Sequence, residues 1–219
     1  MDTETLKLRS VLVERYVTPL REGGSMPAIV EADDLGTYVL KFRGAGQGVR
    51  ALMAEIISGG IARALGLPVP EIVLAQLNGD LSRTESDPEI QDLIRASDGL
   101  NVALDYLPGA INFDPAVDVV DSDFASRLVW FDTLVSNVDR TARNTNMLMC
   151  KKQPWLIDHG ASLTFHHAWN GVVADPGKPF APSSEHVLLP LASQIAQVDA
   201  ELAEKLTPEV LRAIVEEVP

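Results

Sequence analysis

The chain holds one cysteine, Cys150, among 219 residues, so no disulfide can form within it and a reducing, cytoplasmic setting is expected. It has no run of about eighteen apolar residues, which excludes a membrane-spanning helix. The first residues carry Asp2, Glu4 and Lys7 rather than a basic region followed by an apolar one, so no secretory signal is expected there. Positive charge is scarce. Six lysines and twelve arginines stand against 31 acidic residues, for a net charge of -13. A nucleic-acid binder needs a basic face, and this chain has little material for one, so no direct nucleic-acid contact is expected. Repeats and low-complexity tracts are also missing. What is present is 46% hydrophobic residues, enough for a packed core and too many for a disordered chain. The length fits one domain of two lobes or two small domains.

Arg9 to Pro19, with Val11, Val13 and Tyr16, reads as β-rich, and Leu20 to Pro27 as a turn containing Gly23, Gly24 and Ser25. Ala28 to Glu31 and Thr37 to Phe42 read as strands around a turn at Asp33 to Gly36, giving a twisted antiparallel meander. Past Gly44, Gly46 and Gly48, the residues Ala51, Ala54, Ile57, Ile61 and Ala64 recur at helical steps as one apolar face, and Gly66 and Pro68 stop the helix. Strands are expected over Glu71 to Leu77 and Asn101 to Tyr106. The Leu107-Pro108-Gly109 turn then divides the chain into an N-lobe, 1–106, and a C-lobe, 107–219.

Beyond the turn, Asp114 to Asp123 is an acid-rich, solvated connector. Asp121 or Ser122 caps a helix running to Ser136, with Leu128, Phe131, Leu134 and Val135 on its apolar side. Met147 to Cys150 and Trp155 to Ile157 are short strands flanking a Lys151 to Pro154 turn. A last helix, with Thr207 as cap and Pro208 at its first position, turns Leu211, Ile214 and Val215 inward. Trp130, Trp155 and Trp169 read as packing aromatics. Strands first and helices later make an α+β plan.

The chemistry concentrates in Asn137-Val138-Asp139-Arg140-Thr141-Ala142-Arg143-Asn144, followed by Ile157-Asp158-His159-Gly160. Asp139 and Asn144 have the D-x-x-x-x-N spacing of a kinase catalytic loop, and the hairpin after them delivers a second aspartate with a glycine at one remove. A nucleophilic hydroxyl needs a carboxylate to orient it and take its proton, while phosphates need Mg²⁺, which prefers carboxylate, amide and water oxygens. Asp and Asn are also ordinary turn residues, and it is the order and the intervening hairpin that point to a metal site. Lys41, at the end of a strand, is the sole lysine between Lys7 and Lys151, and Glu55, on the next helix, is the sole acid between Lys41 and Glu71. A strand lysine can be a mere edge charge, but paired to a helix glutamate it can hold phosphates.

Tyr38 to Gly48, Leu65 to Glu71, Asn137 to Asn144 and Ile157 to Gly160 together resemble the HipA-like kinases, bacterial relatives of the protein-kinase and phosphatidylinositol-kinase superfamily. The resemblance runs from about residue 10 to 165. It implies a compact bilobal protein-kinase-like fold with a β-rich N-lobe and a mainly helical C-lobe, ATP and Mg²⁺ in the cleft, and transfer to serine or threonine of a protein. It further implies that Lys41, paired to Glu55, holds phosphates, that Asp139 is the base, and that Asn144 and Asp158 hold metal. Ala103, Leu104, Asp105, Tyr106 and Leu107 would be the hinge contacting adenine, and Gly23, Gly24 and Ser25 the loop over the phosphates, with Ser25 a candidate for phosphorylation. That loop lacks G-x-G-x-x-G, and only 61 residues follow Asp158, leaving little room for a substrate platform. The acceptor, a protein or a small molecule, and any regulatory partner are left open.

Two other classes remain. One is a nucleotide-binding module without catalysis, against which the retention of Asp139, Asn144 and Asp158 counts. The other is a metallohydrolase using His159, His166, His167 and His186, which all follow Asp158, but no H-E-x-x-H or cysteine pair accompanies them. His159 is read instead as a packing residue or a support for the site.

Overall fold

The computed structural model describes residues 6–20, 26–46, 48–167 and 184–219. Gly23, Gly24, Ser25 and Trp169 lie outside the described residues.

Five strands form a closed barrel: β1 (Arg9–Pro19), β2 (Ala28–Ala32), β3 (Thr37–Lys41), β4 (Ile72–Leu77) and β5 (Gly99–Asp105), in the order β1-β2-β3-β5-β4. Most pairs are antiparallel, but Arg9 to Leu12 of β1 run parallel to Val73 to Gln76 of β4 and close the ring. The expected antiparallel meander is β1-β2-β3, and β5 and β4 extend it into a closed barrel. β1 serves two neighbours because it is bent: its register to β2 shifts between Val13 and Arg15 and again between Tyr16 and Thr18. The buried residues of β1 show the same break, stepping by two from Val11 to Val13 and by three to Tyr16. Val30, Leu40, Val73 and Ala103 fill the interior, and Ile90 and Ile94 of α2 (Pro88–Ala96) pack onto the same cluster.

The helix α1 (Val49–Leu65) starts at Gly48, whose φ is 65°, and ends at Gly66 in the left-handed region, φ 83°. It lacks the single apolar face expected of it, because it is clamped from several sides. Leu52, Glu55, Ile56, Ser58, Gly59 and Ile61 are all buried. At Gly59 and Gly60 it lies so close to Ile72 of β4 and to Ile214 of α6 (Pro208–Glu216) that an added Cβ would sit 2.3 Å and 2.8 Å from them. The helix α3 (Ser122–Leu134) is capped by Asp121, which accepts the Phe124 N–H at 2.7 Å. It buries Leu128 and Phe131 but leaves Leu134 half exposed. On α6, Val210 and Ile214 face inward, and Leu211 and Val215 form an outward stripe one step round the helix, correcting their expected burial. The connector at Asp114 to Asp123 has no buried residue, with Asp118, Val120 and Ser122 partly exposed and the rest exposed.

A small sheet of β6 (Ile111–Asn112), β7 (Met147–Cys150) and β8 (Gln153–Leu156) follows. Its hairpin turns on Lys151 and Lys152 alone, at φ 52° and 66°, a pair that matches the twist of two-residue hairpins. Gln153 and Pro154 are thus in the strand, and β8 lies at the sheet edge, where proline is tolerated. A helical turn, α4 (Thr164–His167), the helix α5 (Ile195–Lys205) and two 3-10 helices, Gly79–Thr84 and Leu189–Leu191, complete the described elements. Among the described residues no helix is long and apolar enough to cross a membrane.

Candidate functional site

Three chain segments converge on one cleft. The β3 strand delivers Lys41 at its end, the loop after α3 delivers Asp139, and the β7–β8 hairpin delivers Asp158 two residues beyond β8. Lys41, Asp139 and Asp158 line a hollow of about 320 Å³ together with Gly46, Ala51 and Gly160. A second hollow of about 180 Å³, among Leu52, Ile56, Leu74 and Val102, has no carboxylate side chain on its wall. The first brings a lysine and two aspartates together.

Lys41 is the centre of the first hollow. Its Nζ donates to Glu55 Oε2 at 2.6 Å and to Asp158 Oδ1 at 2.5 Å. Burial alone would pull the ammonium down, but the two carboxylates outweigh it and raise the Lys41 pKa well above its ordinary value. Glu55 is fully buried. Burial pushes its carboxyl up, yet the Lys41 charge and a His159 hydrogen bond bring it down to about 2. Glu55 also accepts the backbone N–H of His159 at 2.9 Å and faces His159 Nδ1 at 3.2 Å. The His159 ring meets Phe131 edge-on, with centroids 5.8 Å apart. So one buried carboxylate on α1 ties the β3 lysine to the loop that carries Asp158. Asp158 itself sits at φ 57°, its side chain 45% exposed toward the cleft.

Asp139 is oriented from two sides. Its backbone N–H donates to Asn137 Oδ1 at 3.0 Å, and its Oδ2 accepts from Asn144 Nδ2 at 2.9 Å and Asn146 Nδ2 at 3.2 Å. Asn144 engages Asp139 through its side-chain amide N–H and is not itself among the residues that line the hollow. Asn146, two residues further on, is a contact that the motif spacing does not reveal. Beneath the loop lie Asp132, Arg140 and His186, also unassigned by motif, and all are buried.

The segment Ala103 to Leu107 does not line the cleft. Ala103 and Leu104 are in mid-strand with both edges of β5 paired, and the Asp105 and Tyr106 N–H groups are taken by the Glu71 and Thr37 carbonyls at 2.8 and 2.9 Å. Two histidines hold carboxylates at hydrogen-bond distance: His159 is on Glu55 and His186 on Asp132, 2.9 Å from Oδ2. Among the described residues no group of three or more His, Cys, Asp or Glu is placed to hold a metal alone.

A family model described as HipA-like kinase matches residues 13–173 of the chain. No curated protein matches it. Among solved structures it is similar to the Golgi casein kinase, with 12% identity and a TM-score of 0.51 over 99% of this chain and 68% of that one. It is also similar to the Golgi casein kinase with Mn/ADP bound, at 11% identity, TM-score 0.45, and 99% and 72% of the two chains. A third is the proinflammatory kinase CtkA of Helicobacter pylori, at 11%, 0.41, 96% and 92%. The first of these shares the fold.

Proposed function

The chain belongs to the HipA-like kinase family, and on that premise we propose that it transfers the γ-phosphoryl group of Mg²⁺-bound ATP to a hydroxyl, a serine or threonine of a protein. The observation that carries this reading is the position of Lys41 between Glu55 and Asp158, with Asp139 on the same cleft wall. The groups on offer, the Asp158 carboxylate and the Asn144 side-chain carbonyl, are hard oxygens that suit Mg²⁺ better than a soft metal, and phosphate and water oxygens would fill the remaining positions. When bound, Mg²⁺ neutralises phosphate charge in a chain whose net charge is -13.

In this reading residues 1–106 form the lobe over the nucleotide and 107–219 the lobe beneath it. Lys41 holds the α- and β-phosphates as a fixed positive charge, and Glu55 keeps it aimed. Asn144 and Asp158 would hold the cation. Asp139 accepts the proton of the attacking hydroxyl through the carboxylate that Asn144 and Asn146 orient. The hinge contact to adenine falls at the Leu107 end of the Ala103 to Leu107 segment, because the earlier backbone groups are already engaged. Gly23, Gly24 and Ser25, which lie outside the described residues, would be the loop over the phosphates, with Ser25 as a site of regulatory phosphorylation.

Separating the two aspartates tests the assignment, with water as the acceptor and labelled phosphate release as the readout. Asp139→Asn should keep ATP-Mg²⁺ affinity near wild type while turnover falls by a factor of about 10² or more. Asp158→Asn should lose metal-dependent binding and turnover together. Equal loss of affinity in both variants assigns the roles wrongly, and normal turnover in both moves the active site elsewhere.

A further inference from the structure

Asp132 lies in the last turn of α3, is 1% exposed and does not line the cleft. Its two oxygens are used on opposite flanks of the loop. Oδ1 accepts from Asn137 Nδ2 at 2.9 Å, and Asn137 Oδ1 then accepts the Asp139 N–H at 3.0 Å. Oδ2 accepts from Arg140 Nε at 2.6 Å, and Arg140 Nη1 donates to the Asn146 carbonyl. Asn146 in turn donates its side-chain amide to Asp139 Oδ2 at 3.2 Å. Two chains of hydrogen bonds therefore leave one buried carboxylate and close on Asp139, one at its backbone and the other at its carboxylate.

His186 completes the arrangement from 54 residues away in sequence. Its Nδ1 accepts the Leu188 N–H at 3.1 Å, so its proton is on Nε2 and points at Asp132 Oδ2, 2.9 Å distant. Held in that tautomer, His186 is a neutral donor, and Arg140 supplies the countercharge. The same segment is stitched to the loop along the backbone, with a bridge between Thr141 and His186 and a Val187 N–H to Arg140 carbonyl bond of 3.1 Å.

We propose that Asp132 and His186 are positioning residues for the candidate base: His186 fixes the Asp132 carboxylate, and Asp132 sets where Asp139 stands. This rests on the kinase reading for its effect on turnover, but not for its effect on the loop. A buried carboxylate that loses one of its donors is free to re-aim, and a shift of about 1 Å at a reacting group is enough to cost rate without costing ground-state binding.

The test uses two substitutions at His186. Asn keeps an acceptor for the Leu188 N–H but is too short to reach Asp132, whereas Gln places an amide N–H near the position of Nε2. His186→Asn should lower ATP turnover about tenfold or more with the dissociation constant for ATP in Mg²⁺ changed by less than about twofold, and His186→Gln should recover most of the loss. Without nucleotide, amide exchange over residues 137–146 should speed up in His186→Asn and stay near wild type in His186→Gln. Asn137→Ala, which cuts the other arm, should give the same split if His186→Asn does not fold. Unchanged exchange over that loop overturns the proposal whatever turnover does. So does a loss of affinity in step with turnover, or a Gln variant as impaired as the Asn one. A wild-type chain that turns over no ATP sinks the kinase reading, and loop exchange then decides the positioning role by itself.

Discussion

Glu55 has no exposed side-chain surface and is still charged, because Lys41 Nζ at 2.6 Å and the His159 backbone N–H at 2.9 Å replace the water it has lost. Its folded pKa of about 2 lies below its ordinary 4.5. A depressed carboxyl contributes stability that is fully present above the unfolded value and is lost as pH falls through the folded one. The window is therefore pH 4.5 down to 2, and the most that this single group can contribute across it is about 3 kcal/mol. Denaturant unfolding at pH 6, 4 and 3 should show wild type losing stability faster than Glu55→Gln, with the two curves converging toward pH 2. Parallel curves would assign the acid lability to other carboxylates. Lys41 and Glu55 were legible in the sequence because each is isolated among residues of other types, and Asp139, Asn144 and Asp158 because their spacing repeats a known order. Asp132, Asn146 and His186 were not. An aspartate near a helix end is common, and what makes this one matter is a histidine that only the folded chain brings near.

The helix α1 sets the orientation of the Lys41–Glu55 pair, and two adjacent glycines let it sit where it does. At Gly59 the nearest obstacle to a new methyl is Ile72 Cδ1, the free end of a side chain, which can rotate away. At Gly60 it is Ile214 Cγ2, at 2.8 Å, a methyl on a branched carbon that moves only with the whole side chain. Alanine gains about 1 kcal/mol of helix propensity at either position. Gly60→Ala should nevertheless destabilise by about 1–2 kcal/mol, while Gly59→Ala stays near neutral. An Ile214→Leu background, which lacks the Cγ2 methyl, should absorb part of the Gly60→Ala cost in a double-mutant cycle read by denaturant unfolding. Equal costs at the two glycines would mean that α1 is not pinned by α6. Local signals had marked this helix and most strands well, since Gly48, Gly66, Asp121 and Thr207 are stops and caps that act within a few residues. Barrel closure was hidden because it depends on β1 bending between two partners, one of them more than sixty residues away. The outward stripe of Leu211 and Val215 was hidden for a related reason, since apolar spacing on a short helix does not say which of two adjacent stripes meets a neighbour.

At the scale of the whole molecule, the cleft stands in a chain of net charge -13, and Lys41, the one cation lining it among the described residues, is already matched by two carboxylates. Free ATP carries several negative charges and should be repelled from such a site, whereas ATP complexed with a divalent ion brings its own neutralisation. A divalent ion held in part by the Asp158 carboxylate is what the proposed function calls on to offset that charge. The most direct measurement is a calorimetric titration of ATP into the wild-type chain, run once with Mg²⁺ and once with excess chelator. The result expected is saturable binding with Mg²⁺ and at least tenfold weaker binding in chelator. Equal affinity in the two titrations, or no binding in either, would contradict a metal-dependent nucleotide site between Lys41, Asp139 and Asp158.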